Sequence, residues 1–230
     1  GQLFVALQGA RDGNDFVERA MERDAAGALC TRSFSEIPCL VVEDSRKALG
    51  EIARQERLRL NCRVVGITGS VGKTTIKEMT ARILSEQYVT GKSQANHNND
   101  IGLPMSILGL PGNTQAAVLE MGMNHFGEMS YLTSIARPDI AVIGNIGTMH
   151  IEFLGSRQGI LKAKLEILEG LREGGRIVLN GDEPLLWNLR DTLTPKPLYF
   201  GIDNPDCDLR AEDVVSREGK VRFTAVYGEE

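Results

Sequence analysis

This sequence of 230 residues has few aromatic residues. It has no long apolar run and no excess of positive charge. Aromatic side chains make up 5% of the chain, and the formal net charge is −5. This mild acidity argues against bulk binding to nucleic acid or to an anionic membrane, so we expect no nucleic acid among the partners. No apolar run approaches the roughly 18 residues that span a bilayer, and we therefore expect no membrane insertion.

Paired cysteines are also missing. Cys30, Cys39, Cys62 and Cys207 form no C-x-x-C pair and show no zinc-ligand spacing. Free thiols in a reducing compartment fit this pattern, so we expect a cytoplasmic protein. The chain starts at Gly1 rather than at Met, and a predicted strand follows almost at once. We expect it to be part of a longer protein, and we expect a monomer.

The remaining composition is that of an ordinary globular protein, with 42% apolar and 25% charged residues. Residues 1–61 predict a small N-terminal α/β domain, with strands at 3–7, 28–31 and 39–43 and helices at 16–26 and 45–60. From residue 62 to residue 230, strands alternate with Gly-rich turns and helices, which is typical of a mostly parallel sheet covered on both faces. The predicted strands are 64–68, 88–90, 116–120, 140–145 and 176–180, with an antiparallel hairpin at 208–227. The predicted helices are 73–86, 101–108, 127–136, 156–171 and 183–193.

A Gly-rich loop carries the strongest functional signal. The residues Gly69, Ser70, Val71, Gly72, Lys73, Thr74 and Thr75 lie where a predicted strand ends and a helix begins. Such a loop points backbone N–H groups at phosphate oxygens, with the lysine near the terminal phosphates and the hydroxyl of Thr74 near Mg²⁺. Ile67 stands where the strict P-loop pattern has its first glycine, and a chance Gly-Lys-Thr turn is the alternative. We predict a nucleoside triphosphate site.

Two further candidates follow at the carboxyl ends of later strands, where open α/β sheets bind ligands. Glu120 ends the predicted strand 116–120 and is placed to hold Mg²⁺ across the sheet; a solvated strand end is its alternative. His150 lies beyond the strand that ends at Asn145, and a surface histidine is the commoner use of such a residue. The neighbouring phosphate loop favours a metal role for both side chains.

Lys164 interrupts the apolar stripe of the predicted helix 156–171. Leu161, Lys164, Leu165 and Leu168 share one helix face by their spacing. A lysine in this position either extends its ammonium to water or is retained for chemistry. The polar turn 96–100 is a further candidate, because the amides of Asn98 and Asn99 can bind substrate, although helix capping is their commoner use.

Taken together, these stretches resemble the Mur ligase family. The matching segments are residues 3–7, 69–75 with 77–79, 98–104, 120–122, 124–125, 137–138, 150–152 with 155–156, 162–164 and 179–182. Within the family, segments 77–79 and 98–104 favour the branch that joins D-alanyl-D-alanine to a UDP-N-acetylmuramoyl-tripeptide. Ala95 departs from the family pattern, because a glycine is common at that position.

The resemblance implies an ATP-dependent ligase of peptidoglycan precursor synthesis that works through an acyl phosphate. Lys73 would neutralise the transferred phosphoryl group, and Thr74 and Glu120 would hold a first Mg²⁺. His150 and Lys164, the latter carbamylated by CO₂, would serve a second Mg²⁺. Asn98 and Asn99 would support the substrate and the metal. These catalytic, ATP-binding and metal roles are expectations that come from the resemblance.

The resemblance also implies a domain organisation. Residues 1–61 would be part of the UDP-substrate-binding domain, and residues 62–230 part of the central ATP-binding domain, incomplete at its C-terminal end. The C-terminal domain would be absent, so we expect this chain alone to be inactive. The alternatives are another Mur-like amide ligase, either amino-acid-adding or of the folylpolyglutamate type, a P-loop kinase or GTPase, and a non-catalytic nucleotide-binding module.

Overall fold

The computed structural model describes residues 1–228 and contains two sheets. The smaller sheet has three parallel strands in sequence order: β1 (Leu3–Val5), β2 (Gly27–Cys30) and β3 (Cys39–Val41). A 3-10 helix (Gly13–Phe16) and α1 (Val17–Met21) connect the first two strands, and α2 (Ser45–Arg59) follows the third. Asp44 caps α2, because its carboxylate accepts hydrogen bonds from the N–H groups of Arg46 and Lys47. A small N-terminal α/β unit is therefore present, as the sequence predicts.

The larger sheet has eight strands in the order β11-β10-β9-β8-β7-β4-β6-β5. All its neighbouring strands are parallel except β10 and β11, which form the predicted antiparallel hairpin. The strands are β4 (Arg63–Thr68), β5 (Thr90–Lys92), β6 (Ala116–Glu120), β7 (Ile140–Ile143), β8 (Arg176–Asn180), β9 (Leu198–Gly201), β10 (Leu209–Arg217) and β11 (Lys220–Tyr227). This mostly parallel α/β architecture confirms the predicted fold class.

Helices cover both faces of the larger sheet. They are α3 (Lys73–Leu84), α4 (Gly102–Leu108), α5 (Glu128–Ala136), α6 (Ile151–Leu154), α7 (Arg157–Leu165) and α8 (Pro184–Trp187). Successive residues of a strand point to opposite faces, so Val64 and Val65 of β4 belong to two different core clusters. Ala81 of α3 packs in the smaller cluster, and Leu132 of α5 packs in the larger one. Within residues 1–228, no helix combines the length and apolarity needed to cross a bilayer.

The helix α2 packs against the larger sheet's helices rather than standing alone. Ala53 and Leu60 belong to the same core cluster as Leu132. Arg57, at the end of α2, is buried and donates hydrogen bonds to the carbonyl of Ala136 at 2.8 Å and to Asp139 Oδ2 at 3.2 Å. The predicted boundary at residue 61 therefore lies beside a tightly packed contact, and the assignment of residues 1–61 to a substrate domain stays a prediction.

Several predicted helices have different bounds in the structure. The predicted helix 156–171 divides into α7 and a 3-10 helix, Glu166–Gly170. Where the helix changes, the Glu166 carboxylate accepts hydrogen bonds from the N–H groups of Gly127 and Ser130. Helix 183–193 is reduced to α8, and helix 16–26 begins as a 3-10 turn and ends at Met21. The short elements α6 and β9 were not predicted, because four residues are too few to show a period.

Candidate nucleotide and metal site

The Gly-rich loop lies between β4 and α3, as predicted. Gly72 is the N-cap of α3 and has φ +77°, a left-handed conformation that glycine adopts without steric cost. A Cβ added at Gly72 would meet no atom within 4 Å, so the space in front of the helix N-terminus is open. Residues 72–75 carry the first N–H groups of the helix, which have no intrahelical acceptor. This arrangement suits an anionic ligand.

Asn145, which follows β7, fixes the first half of the loop. Its Oδ1 accepts hydrogen bonds from Ser70 N at 2.8 Å and Val71 N at 3.0 Å, and its Nδ2 donates to the Val71 carbonyl at 3.2 Å. The Ser70 hydroxyl in turn accepts from Gly147 N at 2.8 Å. Because the amides of Ser70 and Val71 are already bonded, the donors available to a phosphate are those of residues 72–75.

Glu120 lies next to this loop, because β6 pairs with β4 and places Glu120 opposite Ile67. Its side chain is 2% exposed. Oε2 accepts a hydrogen bond from Thr74 Oγ1 at 2.8 Å, and Oε1 accepts from Asn98 Nδ2 at 2.8 Å. The backbone N–H of Glu120 donates to Ser93 Oγ at 3.1 Å. The Glu120 carboxylate and the Thr74 hydroxyl thus lie in contact, with the NH₂ group of Asn98 on the other carboxylate oxygen. Carboxylate and hydroxyl oxygens suit Mg²⁺.

Lys73 folds back over the loop. Its Nζ donates to the carbonyl of Gly69 at 2.9 Å and lies 3.5 Å from that of Ser70. Burial lowers the pKa of Lys73, and the nearby charge of Glu120 opposes that shift. The ammonium of Lys73 therefore lies against the Gly-rich loop, close to the N-terminus of α3. There it can neutralise the charge of a bound phosphate.

Lys164 is buried, with 4% of its surface exposed. Burial first, and then the positive charge of Lys73, lower the pKa of Lys164 to about 8. An ammonium that extended into water would be exposed, so Lys164 does not extend its ammonium to solvent in this structure. A chemical role for this lysine stays a prediction. The repulsion between the charges of Lys73 and Lys164 acts in the same direction as burial, and it shows that Lys164 lies close to the Gly-rich loop.

His150 precedes α6 and has a left-handed backbone, with φ +64°. The residue is half-buried. The structure therefore brings Thr74 and Glu120 together as a preformed pair, whereas it shows no contact that joins His150 to Lys164. In the described part of the chain, no cluster of three or more His, Cys, Asp or Glu side chains forms a metal site.

The sequence model described as the Mur ligase middle domain matches residues 67–230, which is more than half of the chain. The chain belongs to the Mur ligase family. The matched segment contains the P-loop, Glu120, His150 and Lys164.

Individual relatives agree with this assignment. UDP-N-acetylmuramoyl-tripeptide–D-alanyl-D-alanine ligase of Bacillus subtilis is 45% identical over 97% of this chain, which covers 49% of that protein. Among solved structures, MurF from Acinetobacter baumannii matches the whole chain with a TM-score of 0.92 and 33% identity, over 51% of its own length. The MurF ligase of Thermotoga maritima, solved in complex with ADP, matches 98% of the chain with a TM-score of 0.87 and 34% identity, over 52% of its length. This Mur ligase chain thus spans about half the length of these relatives.

The two predicted asparagines of this Mur ligase chain have different surroundings. Asn98 contacts Glu120, as described above. Asn99 Oδ1 instead accepts from Gly102 N at 2.8 Å, so in this structure it caps the start of α4. Sequence reasoning missed Asn145 and Ser93 as parts of the site, because their hydrogen bonds join segments that are far apart in the chain. The position of Asn145, two residues after the end of β7 in a parallel sheet, was the one available signal.

Proposed function

We propose that the full-length protein containing this chain is an ATP-dependent amide-forming ligase that adds D-alanyl-D-alanine to a UDP-N-acetylmuramoyl-tripeptide during peptidoglycan precursor synthesis. The observation that carries the proposal is the meeting of Thr74 and Glu120 beside an open P-loop. The 45% identity to a ligase of that specificity supports the choice of substrates. Because the chain spans about half of that relative, the activity is proposed for the whole protein.

In this proposal the N–H groups of residues 72–75 bind the phosphates of ATP, and Lys73 neutralises the γ-phosphoryl group as it moves. Thr74 and Glu120 hold a Mg²⁺ ion, which when bound supplies positive charge at the phosphate oxygens. A carboxylate oxygen of the tripeptide attacks the γ-phosphorus, and ADP leaves. The dipeptide amine then attacks the acyl carbon of the acyl phosphate, the C–O bond to phosphate breaks, and the amide forms as the amine loses its proton.

The residues present fit a Mg²⁺ ion at the first position. Glu120 and Thr74 offer a carboxylate and a hydroxyl oxygen 2.8 Å apart, and Asn98 satisfies the other carboxylate oxygen. Buried acidic groups without a cation nearby are costly, and a bound divalent ion would offset that cost. Lys73 contributes a positive charge to the same region.

We also propose that Lys164 is carbamylated and, with His150, serves a second Mg²⁺. In that reaction the neutral amine attacks CO₂ and a proton is released, which turns a buried cation into an anionic oxygen ligand. The burial of Lys164 supports the proposal, because an unmodified ammonium in such a place is unfavourable. Its lowered pKa makes more of the neutral amine available near neutral pH.

The partners follow from the same proposal. The nucleotide-linked tripeptide and D-alanyl-D-alanine are the substrates, and residues 1–61 contribute to binding the UDP part. Adenine and dipeptide contacts are assigned to parts of the protein outside this chain. The four cysteines are free thiols, which fits a reducing compartment such as the cytoplasm, and we propose a monomer in that location.

One assay separates this function from its alternatives. Phosphate release by the full-length protein is measured with ATP, Mg²⁺ and the UDP-linked tripeptide, and D-alanyl-D-alanine, single amino acids or a folate with glutamate is added in turn. We expect stimulation by the dipeptide only, and loss of that stimulation in Lys73→Ala. Stimulation by a single amino acid or by folate with glutamate would indicate another Mur-like ligase. Nucleotide binding without any stimulation would indicate a non-catalytic module.

A further inference from the structure

Lys77 is completely buried, although it lies on the same helix as the P-loop lysine, four residues after Lys73. It is the largest side chain among those with less than 2% exposure in the described residues. Burying an amine is unfavourable unless its polar hydrogens are satisfied. The proposed reaction gives Lys77 no direct part, so its contacts must account for its position.

The Nζ of Lys77 makes two contacts. It donates a hydrogen bond to the carbonyl oxygen of Ala95 at 3.0 Å, and it lies 3.1 Å from Glu78 Oε1. Glu78 also forms a salt bridge with Lys92 at the end of β5. Lys77 therefore connects the P-loop helix α3 to the segment that follows β5.

Ala95 has an unusual backbone conformation. Its φ is +44°, in the left-handed region that a residue with a Cβ rarely adopts. A glycine at this position would adopt the conformation freely, because it has no Cβ. The hydrogen bond from Lys77 to its carbonyl stabilises the turn at the point where the backbone is least favourable.

The turn formed by residues 95–98 places Asn98 next to Glu120. Asn98 Nδ2 donates to Glu120 Oε1 at 2.8 Å, and the Asn98 carbonyl accepts from Gly122 N at 2.8 Å. A Cβ at Gly122 would lie 3.0 Å from the Asn98 side chain, so the two segments are closely packed. A shift of the turn would withdraw the amide from Glu120 and leave Oε1 of a buried carboxylate without this donor.

We propose that Lys77 is a positioning residue for the metal-binding carboxylate. It acts through the Ala95 carbonyl on the turn 95–98, whose Asn98 amide orients Glu120 towards Thr74. The inference rests on the proposed Mg²⁺ role of Glu120 and Thr74. Partners that orient a metal ligand are commonly worth about ten-fold or more in metal affinity.

The test uses Lys77→Met in the full-length protein, since methionine is similar in length and lacks the donor. Mn²⁺ replaces Mg²⁺ as a paramagnetic probe, and free Mn²⁺ is measured by electron paramagnetic resonance with a non-hydrolysable ATP analogue present. We expect Mn²⁺ to bind about ten-fold more weakly than to the parent. Lys92→Met is the matched control, because it removes the other partner of Glu78 and leaves the Lys77 contact to Ala95, and its Mn²⁺ affinity should equal that of the parent.

A second substitution tests the route through Ala95. Ala95→Gly removes the steric cost of the left-handed conformation at this position. In the Lys77→Met background it should therefore restore at least part of the lost Mn²⁺ affinity. In the parent it should change that affinity little. Failure of the glycine to restore any affinity would overturn the role assigned to the turn.

Hydrogen exchange of the turn tests the proposal in the absence of metal and nucleotide. The Asn98 N–H, which is bonded to the Asn96 carbonyl at 2.8 Å, should exchange faster in Lys77→Met than in the parent. Unchanged Mn²⁺ affinity would overturn the proposal and leave Lys77 a purely structural residue, and unchanged exchange would overturn its action through the turn 95–98. If Lys77→Met does not fold, Lys77→Arg, which keeps donors but displaces them, replaces it with the same two criteria.

The two proposals fail in different ways. If the parent protein binds no Mn²⁺ with the nucleotide analogue, the metal role of Thr74 and Glu120 is wrong, and the role of Lys77 in metal binding is overturned with it. If the parent binds Mn²⁺ but Lys77→Met binds it equally well, only the Lys77 proposal is overturned.

Discussion

Thr74 Oγ1 and Glu120 Oε2 are joined by a hydrogen bond of 2.8 Å that links the first turn of α3 to the end of β6. The parallel pairing of β4 and β6 makes this contact possible, since both strands end at the same edge of the sheet. Rotation of the hydroxyl would turn a lone pair, instead of its hydrogen, towards a cation beside the carboxylate. The two oxygen atoms that we propose as Mg²⁺ ligands are therefore already adjacent in this structure.

Removal of the charge on Glu120 tests this pair. In full-length Glu120→Gln, we expect the Mg²⁺ concentration at half-maximal rate to rise by about ten-fold or more, because an amide oxygen is a weaker ligand for a hard cation. A Mg²⁺ titration of phosphate release measures the change. Glu212→Gln, at an exposed glutamate of β10, is the control and should titrate like the parent. An unchanged requirement in Glu120→Gln would mean that Glu120 is not a ligand.

Lys164 is buried and is proposed to be carbamylated, so replacing it should change the activity. We expect full-length Lys164→Ala to be nearly inactive, and added short-chain carboxylates such as acetate to restore part of the rate by supplying the missing anionic oxygens. Lys162→Ala is the matched control, since Lys162 lies on the same helix but is exposed, and it should keep near-parental rates. Normal turnover by Lys164→Ala, with or without carboxylate, would contradict a catalytic role.

Unmodified Lys164 should make the free energy of unfolding depend on pH. Its pKa is lowered to about 8 in the folded protein, against about 10.5 when unfolded. Between these values the unfolded state binds more protons, so the contribution of Lys164 to stability rises with pH across that window and is least favourable below pH 8. The gap corresponds to about 3 kcal/mol.

In CO₂-free buffer, Lys164→Met should therefore unfold at higher urea concentration than the parent at pH 7, and this advantage should shrink as the pH is raised through 8 towards 10.5. Urea unfolding curves of both proteins at several pH values measure it. The difference between the two proteins is used, because other titrating groups contribute equally to both. An advantage that is the same at pH 7 and at pH 10 would show that Lys164 is not buried as a cation.

Asp139 makes a separate prediction about the fold. Its carboxylate accepts from Arg57 Nη2 at 3.2 Å, from Arg63 Nη1 at 3.0 Å and from the N–H of Val64 at 2.8 Å. Asp139→Ala leaves the buried guanidinium of Arg57 without its counter-charge, so we expect a loss of roughly 3–5 kcal/mol in the free energy of unfolding. Urea unfolding measures it. Asp191→Ala, at a carboxylate with 80% side-chain exposure, should change stability by less than about 0.5 kcal/mol. Equal effects of the two substitutions would contradict the account of α2 docking.

Local sequence patterns predicted much of this structure. The apolar runs of β4, β6 and β7 and the Gly-Lys-Thr loop between β4 and α3 are properties of neighbouring residues, and the structure has them where they were expected. Glu120 was predicted from its place at a strand end. The strand predicted at 88–90 lies at Thr90–Lys92 instead, because it pairs with β6 through Thr90, Gly91 and Lys92.

The parts that were missed depend on contacts between distant residues. Asn145 bonds to the loop at Ser70 and Val71, and Lys77 bonds to Ala95; neither contact leaves a periodic signal in the sequence. The strand β9 has four residues, and its position follows from pairing with β8 rather than from its own pattern. Carbamylation of Lys164 and the second metal remain predictions.

Transfer of oxygen-18 from substrate to phosphate tests the central claim most directly. The full-length protein is supplied with ATP, Mg²⁺, D-alanyl-D-alanine and a UDP-linked tripeptide whose terminal carboxylate carries oxygen-18 on both positions. If the carboxylate attacks the γ-phosphorus and the amine later expels phosphate, one labelled oxygen should be found in each phosphate released, and the other in the new amide. Phosphate without label, or equal phosphate release when the dipeptide is omitted, would contradict the proposed ligase mechanism.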